Sequence, residues 1–149
     1  LRETIWAMSS ASMSLEEFFE SIEAYGKKQV QHLTLPKICF SCEVKEDVTL
    51  SPIQVLHLFR IVQEALTNAL KHADAQNVHI GFMCKEERLL LRVSDDGTKL
   101  QDAKADEFSG RGLTNMERRT QELKGLFRFE QSGGTVVEIE IPVDAEYHK

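Results

Sequence analysis

Four polar residues lie along one predicted helix of this chain. Glu64, Asn68 and His72 recur at intervals of four, and Lys71 stands beside the last of them. Residues four apart share one helix face, so a carboxylate, a carboxamide, an ammonium and an imidazole form a single polar stripe. A solvated helix face would explain Glu64 alone. Asn68 fits that explanation less well, because asparagine is a mediocre helix former, whereas its amide oxygen is a good ligand for Mg²⁺.

Three glycine-containing segments further along the chain could bring backbone close to a ligand. Asp95-Asp96-Gly97 follows a predicted strand and places carboxylates at its end. Gly110-Arg111-Gly112-Leu113 opens a helix, and the free amides at a helix N-terminus suit phosphate groups. Gly133-Gly134-Thr135 enters the last predicted strand. Each segment taken alone is equally well explained as an ordinary turn or loop.

Hydrophobic periodicity indicates the elements that must position these residues. Ser14 with Glu17, and Ser51 with Gln54, form two capping boxes at the starts of amphipathic helices. The predicted order is a helix from 14 to about 33, a strand at 38–44, a helix from 51 to about 73, strands at 78–82 and 89–93, a loop at 97–110, a helix at 113–123, and strands at 127–129 and 137–141. Because the strands pair mostly through hairpins and each has one buried face, we predict an α/β sandwich (α+β), in which helices cover one face of a mixed, largely antiparallel sheet.

The composition excludes several classes of protein. The 149 residues are 42% hydrophobic and 28% charged, which is typical of one domain with a real core. The net charge is −6 and the cations are scattered, so a nucleic-acid partner is not expected. No apolar run is long enough to span a bilayer, so we expect no membrane contact by this chain. Its start at Leu1 without a methionine indicates a piece of a longer protein. An anchor of that longer protein in the inner membrane is compatible with this sequence.

Two of the three cysteines form a C-x-x-C pair that invites a redox or zinc interpretation. Cys39 and Cys42 lie in a segment that alternates apolar and polar residues like a half-buried strand. Residues at odd separation point to opposite faces of a strand, so the two thiols should diverge and only Cys42 should face the core. We therefore expect structural cysteines in a reducing, cytoplasmic setting.

The order and spacing of the polar stripe and the three glycine segments resemble the ATP-binding catalytic domain of two-component sensor histidine kinases. Residues 63–73 resemble the N box of these kinases. Residues 95–97 and 110–119 resemble their two glycine boxes, and residues 134–142 resemble their terminal strand. The resemblance covers about 59–142. The segment between the two glycine boxes is short, which is similar to the short-lid subfamily of these kinases. Residues 1–8 resemble the end of that subfamily's dimerisation hairpin. The expected division is therefore a hairpin end and linker at 1–13 and a catalytic domain at 14–149.

The resemblance implies a Bergerat-type fold that binds ATP with Mg²⁺. Asn68 would hold Mg²⁺, and Glu64 would act beside the metal through water and accept a proton near the attacking imidazole. Lys71 would contact phosphate, and His72 would either contact phosphate or be an exposed helix residue. The implied catalytic residues are Glu64, Asn68 and Lys71.

The remaining implied ATP contacts come from the glycine segments. Asp95 would accept the adenine amino group, Gly97 would let backbone approach the base, and Thr135 would support Asp95. The expected phosphate contacts are Gly110, Arg111, Gly112 and Leu113. Lys99 stands where the family's first glycine box has its second glycine. The resemblance therefore supports ATP binding more strongly than full catalytic turnover.

The implied activity is transfer of the ATP γ-phosphoryl group to a histidine in an upstream dimerisation domain that this chain lacks. A response regulator would be the further partner. None of the chain's five histidines lies in such a hairpin, so the isolated fragment is not expected to phosphorylate itself.

Three alternatives remain at this stage. An anti-sigma-factor-like serine kinase shares the ATP fold and roughly this length, but should lack the hairpin-like start. A gyrase-like or mismatch-repair ATPase should carry further domains and a longer lid. A degenerate module that docks partners and barely binds nucleotide draws support from Lys99 alone, and nucleotide binding would exclude it.

Overall fold

A computed structural model describes residues 11–71, 74–97 and 111–146 of the chain, without the side chains of 111, 145 and 146. Its elements in chain order are β1 (Met13–Ser14), α1 (Leu15–Val30), β2 (Lys37–Val44), β3 (Asp47–Leu50), α2 (Pro52–Lys71), β4 (Asn77–Lys85), β5 (Arg88–Asp95), α3 (Arg111–Glu122), β6 (Leu126–Gln131), β7 (Thr135–Pro142) and β8 (Ala145–Glu146).

The main sheet has five strands in the order β2-β4-β5-β7-β6. β2 and β4 run parallel, and the other neighbouring pairs run antiparallel. This arrangement confirms the predicted mixed, largely antiparallel sheet. The hairpin between β4 and β5 turns at Glu86 and Glu87, both of which have positive φ. That geometry is the two-residue turn that suits strand twist, although its usual residues are glycine and asparagine, so the sequence carried no turn signature here.

Both predicted capping boxes are present. The Ser14 hydroxyl accepts a hydrogen bond from the Glu17 amide at 3.1 Å, and the Glu17 carboxylate accepts one from the Ser14 amide at 3.2 Å. The corresponding bonds between Ser51 and Gln54 measure 3.2 and 2.9 Å. These contacts satisfy amides that a helix start otherwise leaves free, and they fix where α1 and α2 begin.

The helices cover one face of the main sheet. The core between the layers includes the fully buried side chains of Phe18, Phe59 and Phe82. The opposite sheet face carries ion pairs between neighbouring strands, among them Arg88 with Glu140 at 2.8 Å. The predicted α/β sandwich with a single covered face is therefore confirmed.

A second, small sheet was not predicted. It has the order β1-β3-β8, in which β1 and β8 contribute two residues each. Met13 pairs with Leu50, so the strand pairing of the domain begins one residue before the boundary drawn from the sequence. The rest of the predicted hairpin end and linker lies at residues 1–12, of which only 11 and 12 are described.

The cysteines lie as the alternation of β2 predicted. Cys39 is exposed, Cys42 is half-buried against the core, and Cys84 on β4 is buried. All three are free thiols. Among the described residues, no helix is long and apolar enough to cross a membrane.

Candidate functional site

Asp95 lies at the end of the central strand of the main sheet. Its neighbours in the sheet are Val78 on β4 and Thr135 on β7. The Gly97 amide donates a hydrogen bond of 2.9 Å to the Asp95 carboxylate. Burial raises the pKa of Asp95, while the backbone amides of Gly97 and Thr135 act in the opposite direction and the charge of Asp96 adds to the increase. The result is a half-buried acceptor whose described hydrogen-bond donors are all backbone amides.

The neighbouring Asp96 has a different role, which the sequence did not distinguish. Its carboxylate accepts hydrogen bonds from the amides of Gln76 and Asn77 at 2.8 and 2.9 Å, and from the Asn77 side chain at 2.8 Å. These bonds, the Asn77 side chain foremost, lower the pKa of Asp96. Asp96 thus anchors the end of β5 to the start of β4 and leaves Asp95 as the carboxylate available to a ligand.

Gly134 allows the backbone of the β6–β7 turn to pack against Asp95. It has a φ of +140°, and a side chain at this position would collide with the carbonyl oxygen of Asp95. The glycine pair was predicted to be either a plain turn or part of a binding site. The structure shows a turn whose second glycine is required by its contact with the end of β5.

Thr135 follows this glycine and is buried, with 5% of its surface exposed. Its hydroxyl has no hydrogen-bond partner among the described residues. The support that Thr135 gives to Asp95 therefore comes from its backbone amide and not from its side chain. A buried hydroxyl without a partner is costly, so its presence beside Asp95 fits a ligand that supplies the missing hydrogen bond.

The polar stripe on α2 reaches the same end of the sheet. Asn68 is buried, with 8% exposure, and its side-chain nitrogen has no partner among the described residues. Because an amide can exchange its nitrogen and oxygen by a flip, the same position can present an acceptor. Lys71 is the last residue of α2 and is exposed, whereas His72 lies outside the described residues.

The start of α3 contacts α2 through Gly112. A Cβ at this position would lie 2.9 Å from the Glu64 carboxylate oxygen and 3.1 Å from its carboxyl carbon. Leu113 is half-buried against the core and fixes this end of α3. The structure thus brings Glu64 and Gly112 together. Gly110 and Lys99 lie outside the described residues, and so does the side chain of Arg111.

The described residues contain no group of three or more histidine, cysteine or acidic side chains able to bind a metal by themselves. Mg²⁺ commonly takes only one or two protein ligands, and substrate phosphates and water supply the others. A single buried amide at Asn68, with Glu64 one turn earlier, fits that mode of binding.

The sequence of the chain is similar to those of known proteins. A family model described as "Histidine kinase-, DNA gyrase B-, and HSP90-like ATPase" matches residues 53–145. The chain is 36% identical over 97 residues to the signal transduction histidine-protein kinase/phosphatase UhpB of Salmonella typhimurium, covering 65% of this chain and 19% of that protein. It is also 36% identical over 94 residues to the sensor histidine kinase LiaS of Bacillus subtilis, covering 60% of this chain and 25% of LiaS. The chain therefore spans about a fifth to a quarter of the length of these relatives.

Solved structures show the same fold. The histidine kinase domain of a blue-light-activated kinase from Erythrobacter litoralis EL346 matches with a TM-score of 0.67 at 20% identity, covering 85% of this chain and 61% of that domain. The catalytic domain of the histidine kinase ThkA also matches with a TM-score of 0.67, at 16% identity, covering 91% of this chain and 97% of that domain. The predicted Bergerat-type architecture is confirmed by these likenesses.

Proposed function

Because this chain belongs to the family of histidine kinase-, DNA gyrase B- and HSP90-like ATPases, we propose that it is the ATP-binding catalytic domain of a two-component sensor histidine kinase. The observation that carries the proposal is a pair of buried polar groups without partners among the described residues, the Asn68 amide and the Thr135 hydroxyl. One lies on the polar stripe of α2 and the other beside Asp95. Their positions suit the two ends of one nucleotide.

Asp95 selects adenine in this proposal. An ionised carboxylate accepts hydrogen bonds and donates none, so it fits the amino group of adenine and disfavours the carbonyl oxygen that guanine has at the same position. The Thr135 hydroxyl supplies a second polar contact to the base. Gly97 has no side chain, so in this proposal the base approaches its backbone closely.

The phosphates lie in this proposal between α2 and the start of α3. Asn68 is the side chain suited to hold Mg²⁺, which, when bound, neutralises charge on the triphosphate. Lys71, the last residue of α2, supplies positive charge, and His72, which follows it in the sequence, is a further proposed phosphate contact. The proposed phosphate contacts at the start of α3 are the backbone amides of Arg111, Gly112 and Leu113, together with Gly110, which precedes them in the sequence.

Glu64 accepts the proton of the attacking group. In the proposed reaction an imidazole nitrogen attacks the γ-phosphorus, an N–P bond forms and the bond to the β,γ-bridging oxygen breaks, so that ADP leaves. The imidazole N–H proton passes to Glu64. Transfer of this kind depends mainly on positioning and charge stabilisation, and the contact between Gly112 and Glu64 supplies positioning.

The partners of the proposed kinase are the histidine-bearing dimerisation domain of the same protein and a response regulator. Residues 1–13 would form the end of that domain's hairpin and the linker to the catalytic domain at 14–149. Three free thiols support a cytoplasmic setting for this domain.

Calorimetric titration with ATP, with and without Mg²⁺, tests the proposal. We expect saturable binding that Mg²⁺ strengthens and that Asp95→Asn weakens about tenfold to a hundredfold, because the new amide places a donor against the adenine amino group. Asp144→Asn, at an exposed position, makes the same charge change and should leave binding unaltered. Absence of ATP binding by the folded chain would contradict the proposal and favour a degenerate docking module.

A further inference from the structure

A cavity whose lining does not include Asp95 lies next to Glu64. It has a volume of about 540 Å³, and α2 contributes Arg60, Gln63, Glu64 and Thr67 to its wall. These residues are three or four apart and therefore form one stripe of the helix. The same stripe continues to Asn68 one turn after Glu64. Glu64 thus belongs both to this cavity and to the proposed nucleotide site.

The other walls come from α1 and α3. Tyr25 and Gln29 line the cavity from α1, and Asn115 and Arg119 line it from α3. Met116 and the ring of Tyr25 are the apolar part of the described lining, and its other residues are polar, unlike those around a gap in a hydrophobic core. The cavity is therefore a polar recess between three helices, with Glu64 at the end where Gly112 contacts it.

Two guanidinium groups line this recess without a carboxylate partner among the described residues. Arg60 donates a hydrogen bond of 3.1 Å to the neutral Gln63 side chain. Arg119 lies 3.0 Å from the Nδ1 atom of His57, whose Nε2 atom lies 2.7 Å from Glu122. The described ion pairs of 4.0 Å or less include neither arginine.

The two arginines also disfavour each other. Burial lowers the pKa of Arg119, and the positive charges of Arg118 and Arg60 lower it further, while Glu122 acts in the opposite direction. Like charges that share a partly enclosed space repel, and a bound anion would relieve the repulsion. Arginine suits a carboxylate in particular, since its planar group can donate two parallel hydrogen bonds to both oxygens.

We propose that this recess receives an acidic side chain of the histidine-bearing domain, so that Arg60 and Arg119 orient the acceptor imidazole at Glu64. The inference rests on the proposed function, because it takes Glu64 as the group that meets the imidazole. Arg60 precedes Glu64 by four residues, which is about 6 Å along the helix. The carboxylate and the imidazole of the acceptor are therefore expected to lie within about one helical turn of each other.

Such a contact acts on orientation more than on nucleotide affinity. Charge pairs across an interface guide encounter and fix register. Arg60 and Arg119 are thus positioning residues for the acceptor. The phosphates of ATP are placed instead at Asn68, Lys71 and the start of α3.

The test is phosphorylation of the parent protein's histidine-bearing domain, expressed separately and added to this chain with ATP and Mg²⁺. We expect Arg60→Gln with Arg119→Gln to raise the KM for that domain about tenfold and to leave the Kd for ATP within about twofold. Arg92→Gln, on the exposed face of β5, is the matched control and should change neither. A KM unaffected by the double variant would overturn the inference, and so would a weakened Kd for ATP, which would assign the arginines to the nucleotide.

Charge reversal gives a second measurement that does not depend on loss of activity. Arg60→Glu should raise the KM. Changing to lysine one of the acidic residues within about a turn of the acceptor histidine should then restore it. Absence of rescue at every such position would contradict the proposed contact. Failure of the unaltered chain to bind ATP would instead overturn the proposed function, and the inference with it.

Discussion

The backbone of Gly112 lies against the carboxylate of Glu64, and a methyl group on Gly112 would lie 2.9 Å from the carboxylate oxygen, so that the Glu64 side chain would have to shift. This contact joins the start of α3 to the polar stripe of α2. The helix amides proposed to bind phosphate therefore lie next to the proposed proton acceptor. Glycine at position 112 lets the start of α3 lie close to Glu64 on α2, and it also lets a ligand approach the backbone.

Gly112→Ala should impair phosphoryl transfer. The added methyl would lie 2.9 Å from the carboxylate oxygen, so either Glu64 or the start of α3 must move. Misplacement of a reacting group by about 1 Å can cost up to about a hundredfold in rate. We expect the rate of transfer to a supplied histidine-bearing domain to fall about tenfold or more. Glu117→Ala, at an exposed position of the same helix, should leave it nearly unchanged, and an equal loss in both variants would contradict the role of the contact.

Gly134→Ala should destabilise the fold far more than Gly133→Ala. Both glycines have positive φ, but a side chain at 134 would meet the carbonyl of Asp95, whereas the space at 133 is open. We expect a loss of about 1 kcal/mol in the free energy of unfolding for Gly133→Ala, and at least twice that, about 2–3 kcal/mol, for Gly134→Ala. Urea denaturation followed by circular dichroism measures both. Equal losses would show that the contact with β5 adds nothing to the cost of positive φ.

Local signals accounted for much of the fold. The capping boxes at Ser14 and Ser51 and the alternation within the strands depend on residues close in sequence, and the structure confirms them. The small sheet was missed because β1 and β8 are two residues long and form only by pairing with the distant β3. The hairpin connection between β4 and β5 was predicted from its polar residues and is confirmed, but its turn type was not predicted because neither Glu86 nor Glu87 marks left-handed backbone.

The candidate site was likewise predicted in the part that depends on local sequence and not in the part that depends on packing. Spacing along one helix was enough to group Glu64 with Asn68, because both lie on α2. The different roles of Asp95 and Asp96 depend on the Asn77 side chain, which reaches Asp96 across the sheet. The pairing of Arg60 with Arg119 depends on how α2 packs against α3, which no local pattern encodes.

Asp96→Ala should reduce stability while largely preserving nucleotide recognition. The substitution removes three hydrogen bonds that join β5 to the start of β4. Because Asp96 and its donors are exposed and water can replace the bonds, we expect a loss of only about 1 kcal/mol in the free energy of unfolding. Denaturation of the variant, with calorimetry for ATP, measures both effects. A loss of ATP affinity as large as that of Asp95→Asn would show that the two carboxylates share the adenine contact.

Asp95→Asn should stabilise the nucleotide-free domain at neutral pH even though it weakens ATP binding. Burial raises the pKa of Asp95 above its ordinary value of 3.8, so the ionised carboxylate disfavours the folded state relative to the neutral acid. A raised pKa contributes stability below the unfolded-state value, and this contribution is lost as the pH rises through the folded-state value. The neutral amide avoids that loss, so the variant should gain stability relative to the wild type as the pH rises.

ATP affinity should show the opposite dependence on pH. The proposed contact to adenine requires the ionised form of Asp95, so affinity falls as the pH is lowered through its raised pKa, and the fall begins at a higher pH than for an ordinary aspartate. Denaturation of both proteins from about pH 4 to 8, together with ATP titrations of the wild type, measures the two dependences. A variant less stable than the wild type at neutral pH would show that the amides of Gly97 and Thr135 outweigh burial at this carboxylate.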